Sequence, residues 1–223
     1  MEHEILYRPS YALLQLKLSR GEAISAEAGA LVSMSSGIQM ETNMKGGLLG
    51  GLKRNLLGGE SMFINTFTAE SDGELTLAPA LPGDLSAMRL SSKPMYLQSG
   101  SYIASSKEVD IDTKWGGSKT FFSREGLFLL KLSGVGQLFA SSYGAIHEVN
   151  LEAGQKYTVD TGHMVGFEEG VGYDVKRIGG LKSTLLSGEG LVVELTGPGK
   201  ALIQTRSQDS FLAWLLPKIP RKK

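Results

Sequence analysis

His163 is the residue of this chain best placed to do chemistry. It stands between Asp160 and Glu168, at the edge of a glycine-bounded apolar strand. A carboxylate beside an imidazole fixes its tautomer, and metal ligation or acid–base work both need that. The competing reading is a structural histidine that ties down a strand end by hydrogen bonds. The other two histidines add little. His147 and Glu148 are neighbours on a strand, so their side chains point to opposite faces and do not share an ion unaided. His3 sits at the very start of the chain. Three histidines without paired spacing do not make a zinc site. There is no cysteine, which excludes thiol catalysis, thiolate metal sites and disulfides. His163, Asp160 and Glu168 are therefore the candidate ligand-binding residues. No catalytic residue, metal ligand or cofactor is assigned.

Acids recur at matched places. Glu41, Asp112 and Asp174 occupy equivalent strand positions, as do Glu60, Glu125 and Glu189. Either set, if it faced a common axis, would bring three carboxylates together for a hard cation. The plainer reading is a solvent-facing strand residue for the first set. For the second it is a turn carboxylate accepting backbone N–H bonds.

The glycine-rich segment Gly46–Gly59 invites a phosphate reading but lacks Gly-Lys-Ser/Thr. No strand–loop–helix pattern surrounds it, so neither a P-loop nor a dinucleotide fingerprint is supported. No Gly-x-Ser-x-Gly nucleophile elbow occurs either. The segment instead sets leucines around Lys53-Arg54, as a loop that orders on meeting a partner would. Its contact candidates are Leu48, Leu49, Leu52 and Arg54; the alternative is that the leucines fold down onto the body. The tail offers a similar choice. Asp209 or Ser210 caps a short helix through Phe211–Leu216, Pro217 ends it, and Lys218, Arg221, Lys222 and Lys223 follow. Phe211, Trp214 and Leu215 are its contact candidates. An apolar turn with a basic end also suits an anionic membrane surface. The helix is short, however, so packing on the body or on a neighbouring subunit is preferred.

These residues sit on a framework that is written three times. Gly29-Ala30-Leu31-Val32, Gly100-Ser101-Tyr102-Ile103 and Gly162-His163-Met164-Val165 each open a copy. Each continues into an alternating strand, a Gly-Gly pair (Gly46, Gly116, Gly179 and their neighbours), two bulky apolar residues and a glutamate. Those glutamates recur at intervals of 65 and 64 residues. Repeats of this kind fix architecture. Leu14, Leu16 and Leu18 alternate with Gln15 and Lys17, the pattern of a half-buried strand. Ser133-Gly134-Val135-Gly136 and Thr196-Gly197-Pro198-Gly199 sit between apolar runs and read as hairpin turns, with a longer one around Ser71–Glu74. The expected architecture is one all-β domain, residues 5–206. It has three tandem units at about 5–80, 81–143 and 144–206, closed by a helical, basic tail at 207–223.

Composition narrows the function classes. The chain has 223 residues, with 23 Lys+Arg against 23 Asp+Glu. Zero net charge argues against nucleic acid as the main partner, because duplex binding is driven by phosphate neutralisation. No secretory pattern follows Met1-Glu2-His3-Glu4. Apolar runs reach about six residues, well short of the ~20 that span a bilayer. The expected location is the cytoplasm.

Several strings together resemble the family of altered inheritance of mitochondria protein 24. They are Gly46–Phe63, Pro79-Ala80-Leu81-Pro82-Gly83-Asp84, Val159-Asp160-Thr161-Gly162-His163, Ser187-Gly188-Glu189-Gly190 and Gln204-Thr205-Arg206. The resemblance covers about residues 5–206. It implies a β-sandwich like the tryptophan RNA-binding attenuator protein, repeated three times around a pseudo-threefold axis. It implies no reaction, substrate or cofactor, and function does not follow from fold. The chain shows no mitochondrial presequence, so a mitochondrial role does not carry over.

The function expected first is non-enzymatic: a binding or scaffold protein acting through protein contacts made by the Gly46–Gly59 loop and the tail. The alternative is a small-ligand or metal-binding protein, enzymatic or not, with its site near His163. RNA binding by analogy of fold comes third. Three units in one chain can replace a homotrimer, so a monomer and a homo-oligomer are both compatible with the repeats.

Overall fold

The computed structural model describes residues 1–45, 62–112, 121–122, 127–177 and 191–220. The first unit contains β1 (Glu2–Leu6), β2 (Leu13–Leu18), β3 (Ala23–Glu27), β4 (Leu31–Met34), β5 (Ile38–Lys45), β6 (Met62–Ala69) and β7 (Gly73–Leu77). The second contains β8 (Leu85–Leu90), β9 (Met95–Gln98), β10 (Tyr102–Ser106), β11 (Asp110–Asp112), β12 (Phe121–Phe122), β13 (Leu127–Ser133) and β14 (Gly136–Ser141). The third contains β15 (Ile146–Leu151), β16 (Lys156–Asp160), β17 (Met164–Glu168), β18 (Gly172–Arg177), β19 (Leu191–Thr196) and β20 (Gly199–Gln204). Helix α1 (Gln208–Leu215) follows. The all-β class expected from the sequence is what forms.

Each unit is wired alike. In the first, β7 pairs with β2 and β4, while β6 pairs with β3 and β5. In the second, β14 pairs with β8 and β10, and β13 with β9 and β11. In the third, β20 pairs with β15 and β17, and β19 with β16 and β18. A unit is thus built on two three-stranded antiparallel layers, to which the first unit adds β1 alongside β2. The alternation in β2 aims Leu14 and Leu16 inward, where they join Ile24, Phe67, Leu75 and Leu77 from both layers. The register of β4 on β7, of β10 on β14 and of β17 on β20 shifts at matching places. Bulges of this kind bend a strand and re-aim its side chains.

This wiring corrects the hairpin reading. The turns between β6 and β7, β13 and β14, and β19 and β20 each carry the chain from one sheet into another. Turn residues set how tightly the chain reverses. They do not decide which strand it then pairs with. Here both flanking strands bury their apolar sides against each other across the sandwich, so each turn is a corner between layers.

Strand pairing also joins neighbouring units. Ala26 of β3 lies opposite Ala104 of β10, and Leu97 of β9 lies opposite Gly166 of β17. A Cβ on Gly166 would run into Tyr96 O and Leu97 Cδ2, so only glycine lets these backbones approach. Behind the joints, Ile64, Tyr102, Leu138, Val165 and Leu202 form one cluster drawn from all three units. The corresponding joint between β16 and β4 is not strand-paired among the described residues. There β4 leaves Val32 and Met34 56% and 42% exposed. The wiring therefore repeats three times and the pairing between units twice.

Candidate functional site

A cavity of about 510 Å³ lies where the three units meet. The first unit contributes Glu27, the last residue of β3, and the second contributes Gln98, the last residue of β9. The third contributes Gly162 and Gln204, and α1 lays Asp209 and Leu212 against the opening. The position follows from the repeat. Glu27, Gln98 and Asp160 each end a strand two residues before the glycine that opens a copy, Gly29, Gly100 or Gly162. The same place in the repeat thus brings Glu27 and Gln98 to the cavity, and sets Asp160 on the turn whose Gly162 lines it.

The polar groups there differ sharply in how well they are satisfied. Gln204 is committed at both ends: Oε1 accepts from Tyr143 N at 2.8 Å and Nε2 donates to Gly162 O at 2.9 Å. Ser142 Oγ donates to Gly144 O at 2.7 Å. Gln98 is only 3% exposed, and its Nε2 has no hydrogen-bond partner among the described residues. Burial alone pushes the Glu27 carboxyl up to about 7. The buried Tyr102 hydroxyl donates to Ser25 O at 3.1 Å and lies 3.0 Å from Ser105 Oγ. Its pKa is raised, first by burial and in small part by the charge of Glu27.

The residues singled out from the sequence fall around this cavity rather than in it. His163 Nδ1 lies 2.7 Å from Gln204 O, so that nitrogen carries the proton and donates. The imidazole ties the turn before β17 to β20, which is the structural alternative. Asp160 Oδ1 accepts from Gly162 N at 2.9 Å and caps that turn. Glu168 is at the far end of β17, about 13 Å of strand away. It accepts from Lys200 N at 3.2 Å. His163 and Asp160 share a turn that abuts the cavity, and Glu168 does not join them. Glu27 and Gln98 were missed. The available signal was their common offset from the repeated glycine, the same offset as Asp160.

Glu41, Asp112 and Asp174 lie on β5, β11 and β18, each the outer strand of its sheet. No cluster of three or more His, Cys, Asp or Glu able to hold a metal ion occurs among the described residues. Glu60, Glu125, Glu189, Leu48, Leu49, Leu52 and Arg54 lie outside the described residues. Helix α1 is capped by Ser207, whose Oγ accepts from Ser210 N at 3.4 Å, slightly upstream of the cap expected. The helix buries none of its residues. Phe211 and Trp214 are exposed, with ring centroids 6.2 Å apart, and Lys218 Nζ lies 5.1 Å from the Trp214 ring. Leu215 is half-buried. Among the described residues no helix is long and apolar enough to cross a membrane.

Comparison with known proteins agrees with the fold. An uncharacterised protein of Streptococcus pyogenes serotype M6 is 28% identical over 218 residues, covering 94% of this chain and 88% of its own length. A crystal structure of a Streptococcus pyogenes protein superposes with a TM-score of 0.83 at 28% identity, covering 98% of this chain and 99% of that one. A family model described as mitochondrial biogenesis AIM24 matches residues 3–206, nearly the whole chain. With the matching residues running through all three units and the cavity between them, the chain belongs to the mitochondrial biogenesis AIM24 family.

Proposed function

We propose that this chain is a non-enzymatic binding protein and that its site is the cavity where the three units meet. The observation that carries this is Gln98. A buried amide donor without a partner costs about 1–3 kcal/mol, and Nε2 of this residue is in that position beside a cavity. A ligand that accepts from it recovers that cost. Native mass spectrometry of gently purified protein tests the reading. Extra mass on the wild type that disappears in Gln98→Leu is the expected result. Bare chain mass in both proteins would count against it.

A second reading has its own support. The exposed Phe211 and Trp214 on a helix with no buried residue favour protein contacts through α1, with another protein or a second copy of this chain. Sedimentation of Trp214→Glu checks the second case. A wild-type oligomer that becomes monomeric supports self-contact, and an unchanged state counts against it.

A further inference from the structure

We infer that the cavity takes a small organic ammonium, an amine that also carries a hydroxyl or carbonyl oxygen. This rests on the binding role proposed above and adds the chemistry of the ligand. The charged residues that line the cavity are both acids, Glu27 and Asp209. No lysine, arginine or histidine lines it among the described residues. A carboxylate or phosphate ligand would face two like charges with no cation to offset them. A neutral polyol would leave the half-buried Glu27 without a counter-charge. An ammonium supplies that charge.

The oxygen on the ligand follows from Gln98. Nε2 is a donor only, it is buried, and it lacks an acceptor. The neighbouring amide of Gln204 and hydroxyl of Ser142 are already engaged with backbone groups, and Gln98 is a buried donor still free to read the ligand. Leu81 and Leu212 supply apolar surface for a short carbon skeleton. The volume of about 510 Å³ lies within the range of small-molecule sites, roughly 300–1,000 Å³. The raised pKa of Glu27 agrees with this picture, since burial acts on it with no cation nearby. The other ionisable groups that line the cavity among the described residues are Tyr143 and, from α1, Asp209; Tyr102 on β10 does not line it but feels the charge of Glu27.

The test is NMR of the full chain labelled with nitrogen-15, following the side-chain amide of Gln98. The probes are ethanolamine, propionate and ethylene glycol, each titrated at pH 8 and pH 6. Ethanolamine should shift the Gln98 amide saturably. Its affinity should fall about tenfold from pH 8 to pH 6 as Glu27 takes up its proton. Glu27→Gln, which keeps the shape and removes the charge, should weaken ethanolamine at least tenfold at pH 8 while the protein stays folded. Equal or stronger shifts with propionate or ethylene glycol overturn the ammonium assignment and leave the cavity as a binding site. Unchanged ethanolamine affinity in Glu27→Gln overturns it in the same way. If no probe moves the amide, native mass spectrometry separates the two failures. Bound mass on the wild type then sinks the ligand class alone, and bare mass sinks the binding role with it.

Discussion

Glu27 should make this protein lose stability as pH rises, and replacing it by glutamine should remove that loss. The native carboxyl titrates at about 7, against 4.5 for an ordinary glutamate, because burial disfavours the charged form. Between those values the native state holds a proton that the unfolded chain has released. Stability therefore falls as pH rises from 4.5 through 7, with a limiting slope of about 1.4 kcal/mol per pH unit. Over the whole interval the loss approaches about 3 kcal/mol, and partial exposure of the side chain trims this to about 2 kcal/mol. Glu27→Gln has no proton to lose. At pH 8 it should be about 2 kcal/mol more stable than the wild type, with the gap narrowing to about 0.5 kcal/mol at pH 5. Urea unfolding of both proteins at half-unit steps from pH 5 to pH 8 reads this directly, since other titrating groups cancel in the difference. A difference that stays flat with pH, or a glutamine variant less stable at pH 8, would refute the reasoning.

Three further outcomes are expected. Gly166→Ala should cost at least about 2 kcal/mol in urea unfolding, because the new Cβ meets the backbone of Tyr96 on β9. Arg8→Ala should cost about 2 kcal/mol. It strips both guanidinium bonds, at 2.7 and 2.9 Å, from Asp84, a side chain 4% exposed. His163→Ala should cost about 1 kcal/mol through loss of its bond to Gln204 O, with ethanolamine affinity unchanged within twofold. An affinity loss larger than the stability loss explains would return His163 to the site.

Much of the framework was legible because it rests on local pattern. Leu14, Leu16 and Leu18 announce their burial by alternation, and the three glycine-led copies announce equivalent strands. Strand partners were not legible, because a tight turn such as Ser133–Gly136 looks the same at a hairpin as at a corner between layers. The cavity was not legible for a related reason. His163 carries the more reactive side chain, and attention goes to reactivity. What distinguishes Glu27 and Gln98 is burial without a partner, which depends on residues more than 70 positions away along the chain. Only their shared offset from Gly29 and Gly100 was visible beforehand.

The meeting of three units in one cavity has a consequence for synthesis. The paired joints connect units that are adjacent in the chain, so β3 can receive β10, and β9 can receive β17, as each unit emerges. The cavity must wait. Glu27 leaves the ribosome first, Gln98 next, Gly162 and Gln204 later, and Leu212 last. At roughly 5–20 residues per second, on the order of 10–40 seconds separate the first of these residues from the last. A chain truncated after β14 can already pair β3 with β10 yet has no complete site. A bound ligand is thus a mark of a finished chain.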